Sequence, residues 1–295
     1  MTMYGIIANP NAGVRSANYK YQRLLNIKNI LGVDTIIEGL DTKSAAELCE
    51  TAKCLAEKVD ILIVAGGDGT LNQIVNALDN NIIYVFLPMG SGNLVRHEFN
   101  YQNRSICRIS KYIKNAQIRE IDLVHCTNKE DNGRVAFASS IGIDGTILKE
   151  REWLRDIKKL KGLPGYALAT MRSIKKFELK NMAIFIDGND YHYENVLDFM
   201  VMKARHYGYG LNVNPRANLF DGKLHTLVIR SYAEMAAGLA TSILPRGSRF
   251  GEYMPGENII VSSNNELVLQ CDGEIISKGH YFEFNVKKKY LKIKF

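Results

Sequence analysis

The chain has 295 residues, 46% hydrophobic and 23% charged, with 38 Lys+Arg against 31 Asp+Glu and a net charge of +7. That length exceeds one usual core and predicts two domains, and the composition is that of a globular protein, excluding fibrous or low-complexity classes. The mild positive balance suits a phosphate-bearing partner, either a nucleotide or an anionic bilayer surface; without zinc-finger spacing, an RNP-like aromatic box or an arginine tract, nucleic acid is not expected.

In chain order, Tyr4 to Ala8 is a short apolar run closed by Asn9-Pro10-Asn11-Ala12-Gly13, a strand and a turn. The opening MTMYGIIANP has no charged n-region or long apolar core, so no signal peptide is expected. Helical spacing follows over Tyr19–Leu31, a second strand over Thr35–Ile37, and an amphipathic helix from Ser44 to Lys58, with Ser44 and Glu47 spaced as a capping box. Ile61 to Ala65 then reads as a buried strand. It breaks at Gly66-Gly67-Asp68-Gly69-Thr70 and resumes with Leu71, Ile74, Val75 and Leu78, one stripe of a helix. Thr70 is the expected N-cap, and free amides at a helix start favour a phosphate. The loop is not a Walker P-loop, since no G-x-x-x-x-G-K-[ST] occurs. It carries an acid, Asp68, which suits contact with magnesium, a ribose hydroxyl or an attacking hydroxyl, or simply an Asp-Gly turn. A further buried strand, Ile82–Leu87, ends at Pro88-Met89-Gly90-Ser91-Gly92-Asn93. Alternating strands and helices of this kind predict a parallel sheet, with ligands beyond the strands' carboxyl ends.

Beyond Ile118 the runs become short and β-like: Ile121–His125, Val135–Ser139, Ala183–Ile186, Val196–Met202, Leu224–Ile229, Ile259–Val261, Leu267–Gln270 and Tyr281–Val286. One helical interval, about Thr146 to Phe177, interrupts them. The expected division is an α/β nucleotide-binding domain over 1–120 and an antiparallel β-sandwich domain over 121–295. Asp-Gly recurs at 68, 144, 187, 221 and 272, the one at 187 reading as a hairpin turn. Five cysteines without C-x-x-C read as reduced thiols in a cytosolic protein, and six scattered histidines show no zinc spacing. No run of roughly 20 apolar residues occurs, so membrane contact is expected to be peripheral.

The segment GGDGTLNQIVNAL at 66–78 resembles the nucleotide loop of the diacylglycerol kinase catalytic-domain family, which includes bacterial lipid kinases and sphingosine kinases and is distantly related to NAD kinases and phosphofructokinases. Other segments resemble that family in the same order. They are the Asn9-Pro10 turn, Pro88 to Asn93, Ser140 to Gly145, Tyr207-Gly208-Tyr209-Gly210 with Pro215-Arg216-Ala217 and Phe220 to Leu224, and Cys271-Asp272-Gly273-Glu274. Two positions depart from the family pattern: Gln73 stands for its usual glutamate, and Leu94 follows the asparagine where Asp or Thr is usual. The resemblance implies a Rossmann-like three-layer domain plus an antiparallel sandwich, to which the chain's last residues need not belong. It implies ATP and Mg2+ as cofactors. Asn9, Gly66, Gly67, Asp68, Gly69, Thr70, Asn72, Gly90, Ser91, Gly92 and Asn93 would surround the nucleotide. Glu274 would accept the proton, with Asp272 the rival base and Asp68 also in the catalytic set. A structural magnesium would rest on Asp221 and on carbonyls three residues before and two after it, Asn218 and Lys223.

These readings describe a cytoplasmic, ATP-dependent kinase that phosphorylates a hydroxyl of diacylglycerol or a similar lipid at the inner membrane face. The helix around Trp153 has basic neighbours and suits either an anionic leaflet or a solvated surface. A soluble metabolite kinase of the NAD kinase kind and a catalytically silent lipid- or nucleotide-binding homologue are the alternatives, and a homodimer is left open.

Overall fold

The computed structural model describes residues 2–13, 15–32, 34–90, 94–99, 105–128, 133–158, 160 and 162–295. The chain divides into two units, Met1–Ile121 with Lys289–Phe295, and Asp122–Lys288.

The first unit alternates β1 (Tyr4–Ala8), α1 (Ala17–Leu31), β2 (Ile36–Glu38), α2 (Ala45–Ala56), β3 (Ile61–Gly66), α3 (Asp68–Ala77) and β4 (Ile83–Pro88), followed by α4 (Leu94–Glu98) and α5 (Ile106–Asn115). Strands β2, β1, β3 and β4 lie side by side and parallel, in register Gly5↔Ile36, Ile6↔Ile63 and Val64↔Phe86. Lys292 and Ile293 extend the sheet beyond Ile83 and Tyr84 of β4, again parallel. A strand covered on both faces needs a continuous apolar run, and every residue of β3 is buried. Burial of Leu62, Ile63 and Val64 contributes about 2 kcal/mol each.

Helix starts in this unit follow short-range chemistry. Ser44 Oγ accepts from Glu47 N–H at 3.1 Å, and the Glu47 carboxylate reaches back to Lys43 N–H at 2.7 Å. The capping box thus closes one residue earlier than its usual reciprocal bond. Helix α1 begins at Ala17, ahead of its first clear apolar spacing, because Ser16 caps it through Tyr19 N–H. In α3 the expected cap is corrected. Gly67 is the N-cap, with no side-chain bond, because β3 continues through Gly66 and the helix starts at Asp68.

The second unit contains β5 (Ile118–Thr127, from Asp122), β6 (Arg134–Ala136), β7 (Ala138–Gly142), α6 (Ile143–Ile157), α7 (Gly162–Ile174), β8 (Lys180–Ile186), β9 (Asn189–Val196) and β10 (Asp198–Met202). It continues with β11 (His206–Tyr207), β12 (Leu211–Asn212), β13 (Leu224–Ile229), α8 (Tyr232–Ser242), β14 (Glu252–Gly256), β15 (Asn258–Cys271) and β16 (Glu274–Lys294, to Lys288). Neighbours β14, β13, β10, β7, β15 and β16 are all antiparallel. Long β15 also pairs with β8 through Asn258's half, Ile259↔Ile186 to Ser262↔Ala183, and with β7 at its other end, Leu269↔Ile141 to Cys271↔Ser139. Phe199, Val261, Leu269, Phe282 and Phe284 fill the core between these strands. Helices α6 and α7 bury Ile143, Ile147, Leu154 and Ala169 with Leu197.

The expected single helical interval is two helices, and Pro164 sits in the first turn of the second, where its missing N–H costs little. Helix α8 lies in a stretch with no expected helix. Ser231 caps it through Glu234 N–H at 3.1 Å, and Glu234 accepts from Arg230 N–H at 2.8 Å.

Candidate active site

In the first unit, two loops lie at the carboxyl ends of adjacent parallel strands. The carbonyl of Gly66, closing β3, accepts from Met89 N–H at 2.7 Å and Gly90 N–H at 3.1 Å, closing β4. A Cβ on Gly66 would stand 2.5 Å from Thr70 Cβ, and one on Gly67 3.3 Å from Gly90 Cα. A side chain at Gly66 would clash and one at Gly67 would be tight, so the two loops pack backbone against backbone. Thr70 is buried, and its Oγ1 accepts from Asn9 Nδ2 at 2.8 Å, while Asn9 Oδ1 accepts from Asn11 N–H at 2.8 Å. Asn9 and Thr70 therefore lock the first turn to the second loop. Gly69 lies in the first turn of α3. Asn72 is buried, with Asn76 Nδ2 donating to its carbonyl at 2.8 Å. The Asp68 carboxylate accepts from Val95 N–H at 3.1 Å, at the start of α4. Ser91, Gly92 and Asn93 lie outside the described residues.

Lys20 was not foreseen by sequence reasoning. Its stem is buried in α1, and its ammonium donates to the Pro10 carbonyl of the Asn9-Pro10 turn. Burial lowers its pKa. A lysine one turn into the helix that follows an N-P-x-x-G turn is the signal that could have found it.

In the second unit, Asp272 and Gly273 form the tight turn between β15 and β16, with φ of 48° and 86°. Both carboxylate oxygens of Asp272 accept from main chain, Phe137 N–H at 3.1 Å and Ala138 N–H at 2.9 Å. Glu274, first residue of β16, pairs with Arg134 of β6 at 3.0 Å, their side chains 33% and 23% exposed. The two acids of this turn are thus held differently, Asp272 by amides at the β6–β7 junction and Glu274 by a partly solvated guanidinium.

Behind the turn, a polar chain runs inward. Gly273 N–H donates to Gln270 Oε1 at 3.0 Å, Gln270 Nε2 donates to Ser140 Oγ at 2.8 Å, and Ser140 Oγ donates to Asp144 Oδ2 at 2.9 Å. Asp144 faces Asp198, placed there because β7 and β10 pair Gly142 with Asp198. Burial pushes the Asp144 carboxyl up, outweighing hydrogen bonds from Tyr207, Ser140 and Asp198. Burial and then the Asp144 charge push Asp198 well above the ordinary carboxylate range. Asp198 Oδ1 has no hydrogen-bond partner.

These two acids form the floor of a pocket lined mainly by apolar and aromatic groups, among them Ile147, Tyr166, Met200, Leu211, Met235, Leu239 and Phe250, with Thr170, Glu234 and Ser248 also on its wall. Its space, open mouth included, is about 810 Å3. Leu239 and Phe250 are 38% and 42% exposed, which puts them at the mouth. No sequence signal pairs Asp144 with Asp198. Asp144 belonged to a family-like segment, but Asp198 sits in a run that reads as plain strand.

The expected magnesium ligands lie in the same unit. Asp221 Oδ1 accepts from Lys203 Nζ at 2.8 Å, and the Lys223 carbonyl accepts from the same ammonium at 2.7 Å. Asn218 turns its side chain to Phe220 N–H at 2.9 Å. Burial acts to raise Asp221, but hydrogen bonds from Lys203 and Lys223 N–H bring it below its ordinary value. His225 Nε2 lies 2.9 Å from Asp221 Oδ2 without hydrogen-bond alignment, and burial lowers the pKa of its imidazole. Two of the three expected oxygens therefore already face a cation supplied by the chain, and the set does not fit a divalent ion as it stands. Among the described residues no cluster of three or more His, Cys, Asp or Glu could hold a metal, and no helix is long and apolar enough to cross a membrane. Trp153 is half-exposed, with the Arg172 guanidinium 4.6 Å from its ring centroid.

Comparison with known proteins places these features. Residues 3–126 match the diacylglycerol kinase catalytic domain, and residues 139–284 match the YegS C-terminal NAD kinase beta sandwich-like domain. A protein named diacylglycerol kinase from Staphylococcus aureus (strain MRSA252) is 24% identical over 277 residues, covering 91% of this chain and 85% of its own length. A crystal structure of a putative diacylglycerol kinase from Bacillus anthracis str. Sterne has a TM-score of 0.78 at 21% identity, covering 99% of this chain and 96% of that one. An NAD kinase from Archaeoglobus fulgidus, solved in complex with ATP, shares the fold more distantly, with a TM-score of 0.52 at 13% identity over 99% of this chain and 92% of that one. With the two domain matches in sequence along it, the chain carries a diacylglycerol kinase catalytic domain followed by a YegS C-terminal NAD kinase beta sandwich-like domain, and is a kinase.

Proposed function

We propose that the chain is an ATP-dependent lipid kinase that transfers the γ-phosphoryl group to a hydroxyl of diacylglycerol or a similar lipid. The observation that carries this reading is the apolar pocket of the second unit, whose acidic floor is hydrogen-bonded through Ser140 and Gln270 to the turn bearing Glu274. A cavity with a mainly apolar and aromatic lining over buried acids suits an amphiphile better than a dinucleotide. Phosphoryl transfer asks mainly for a phosphate cradle and a group that orients the acceptor. Amides at the start of α3, Gly67 to Thr70, serve the phosphates, with Gly90 closing the cradle through its bond to the Gly66 carbonyl, Asn9 and Asn72 holding the loops and Ser91, Gly92 and Asn93 added by resemblance. Magnesium bound with the nucleotide supplies charge neutralisation on the phosphates. Asp68 keeps the two loops together and stands beside the donor. Glu274 accepts the hydroxyl proton as oxygen attacks phosphorus and ADP leaves, with Arg134 at 3.0 Å orienting its carboxylate. The exposed apolar side chains Leu239, Ile243, Leu244 and Phe250 touch a bilayer surface peripherally, and the lipid enters at their side of the pocket.

The test is transfer from γ-labelled ATP in mixed lipid micelles, with wild type and Glu274→Ala side by side. Label in a lipid product that vanishes in the variant supports the reading. Label on a soluble dinucleotide, or intact nucleotide binding without any transfer, overturns it.

A further inference from the structure

The Asp221 turn holds a group that a metal-bound turn would not need. Lys203 follows β10 directly, and its backbone N–H donates to the Phe137 carbonyl at 2.9 Å, which fixes where the side chain starts. The side chain is fully buried. Its ammonium meets three acceptors: Asp122 Oδ2 at 3.0 Å, Asp221 Oδ1 at 2.8 Å and the Lys223 carbonyl at 2.7 Å. An ammonium has three protons to donate, so its hydrogen-bonding capacity is filled. The carboxylates are braced in turn. Asp122 Oδ2 also accepts from Gly222 N–H at 2.8 Å, and Asp221 Oδ1 from Lys223 N–H at 3.2 Å.

We propose that the Lys203 ammonium stands in for a bound divalent cation at the Asp221 turn, so that the second unit of this chain holds that turn without metal. Two arguments lead there. The first concerns ligands. Magnesium demands near-octahedral oxygen at about 2.0–2.1 Å, whereas Asp221 Oδ1 and the Lys223 carbonyl sit at hydrogen-bonding distances from a nitrogen. The second concerns charge. The Asp122 side chain is 4% exposed and that of Asp221 31%, and a buried carboxylate beside a half-buried one calls for a cation, which Lys203 supplies from inside the fold. A dication placed against the same oxygens would meet a buried ammonium at close range, with little solvent to screen the repulsion.

A tethered cation differs from a free ion in one measurable respect. A free ion adds stability according to its concentration, and a lysine does not. This bears on the Asp221 turn alone; magnesium that accompanies a nucleotide is separate, so the test uses nucleotide-free protein and needs no turnover. Metal content is measured after dialysis, and thermal unfolding is followed in EDTA and in millimolar Mg2+ or Mn2+. The expected result for wild type is no stoichiometric divalent ion and the same unfolding midpoint in all three. A site saturated about a hundredfold above its Kd would instead raise the midpoint by roughly 5–10 °C. One equivalent of ion retained by wild type, or a midpoint that falls by several degrees in EDTA, overturns the proposal.

Two variants sharpen the test. Lys203→Met keeps the stem and removes the charge. Its midpoint should fall in EDTA and recover in part with Mn2+, with a bound-ion signal in electron paramagnetic resonance. Lys203→Met with Asp221→Asn removes one carboxylate too, lowering the need for a cation, and its midpoint should not respond to Mn2+. Should Lys203→Met not fold, the wild-type and double-variant measurements decide the matter. Equal response of single and double variants to Mn2+ counts against the Asp221 turn as the place where the ammonium substitutes.

Discussion

Two neighbouring acids, Asp272 and Glu274, compete for the role of proton acceptor, and their surroundings predict opposite consequences of removing each charge. In Asp272→Asn the amide can accept from only one of Phe137 N–H and Ala138 N–H, because its NH2 group now faces the other donor. Asparagine tolerates the left-handed conformation found here, φ 48°, so the change isolates the hydrogen bonds from backbone strain. An amide left without a partner costs about 1–3 kcal/mol, and the turn is only partly buried, which favours the lower half of that range. For a unit of this size the midpoint should drop by about 2–8 °C. Glu274→Gln keeps an acceptor for Arg134 and loses a partly solvated ion pair worth about 0.2–1 kcal/mol. Its midpoint should hardly move, while loss of a general base should lower kcat by roughly 10²–10⁴. The assay is thermal unfolding by circular dichroism on both variants, with labelled-ATP transfer measured well below either midpoint. The assignment fails if Glu274→Gln turns over at nearly the wild-type rate. It fails equally if Asp272→Asn keeps the wild-type midpoint and loses turnover as steeply.

Gly66→Ala drives a methyl group into Thr70 at 2.5 Å and should cost about 1–3 kcal/mol together with nucleotide affinity, read by urea unfolding and calorimetric titration. Wild-type affinity in that variant would refute the close-approach account of the loop. Asp198→Asn tests the pocket floor. Because the folded carboxyl titrates above its ordinary value of 3.8, the folded chain holds an extra proton between that value and its own, and stability falls as pH rises through this window. The asparagine variant should show a flatter dependence and greater stability at neutral pH, with Asp144, Tyr166 and Tyr207 left as its titrating neighbours; an unchanged pH profile would contradict the raised Asp198 carboxyl. Phe250→Asp places a charge at the pocket mouth, and KM for micellar lipid should rise about tenfold or more with nucleotide affinity unchanged.

How much of this was legible beforehand depended on how far apart along the chain the deciding partners lie. The parallel strands announced themselves as apolar runs, and Ser44 with Glu47 marked a helix start correctly. Ser231 and Glu234 carry the same signature, but the helix they begin, YAEMAAGLATS, buries little besides Ser242 and shows no clear apolar stripe, so the cap stood alone. The five Asp-Gly steps make the limit plain, for one dipeptide has five fates. Asp68 accepts from Val95 N–H beyond the next strand. Asp144 begins a helix and accepts from Ser140 Oγ beside Asp198. Asp187 turns a hairpin with φ 46° and receives Glu257 and Asn258 N–H. Asp221 holds an ammonium, and Asp272 holds a strand junction. Local propensity favours a turn at all five and is silent about the rest, because a carboxylate's chemistry is set by the donors that reach it. Here those donors arrive mostly from 18 to 135 residues away, as Lys203 does for Asp221 and Phe137 for Asp272. Motif order along the chain could identify the family, since it sums many weak local matches. It could not say which donors reach each Asp-Gly acid, and those come into view only with the long-range pairing of strands.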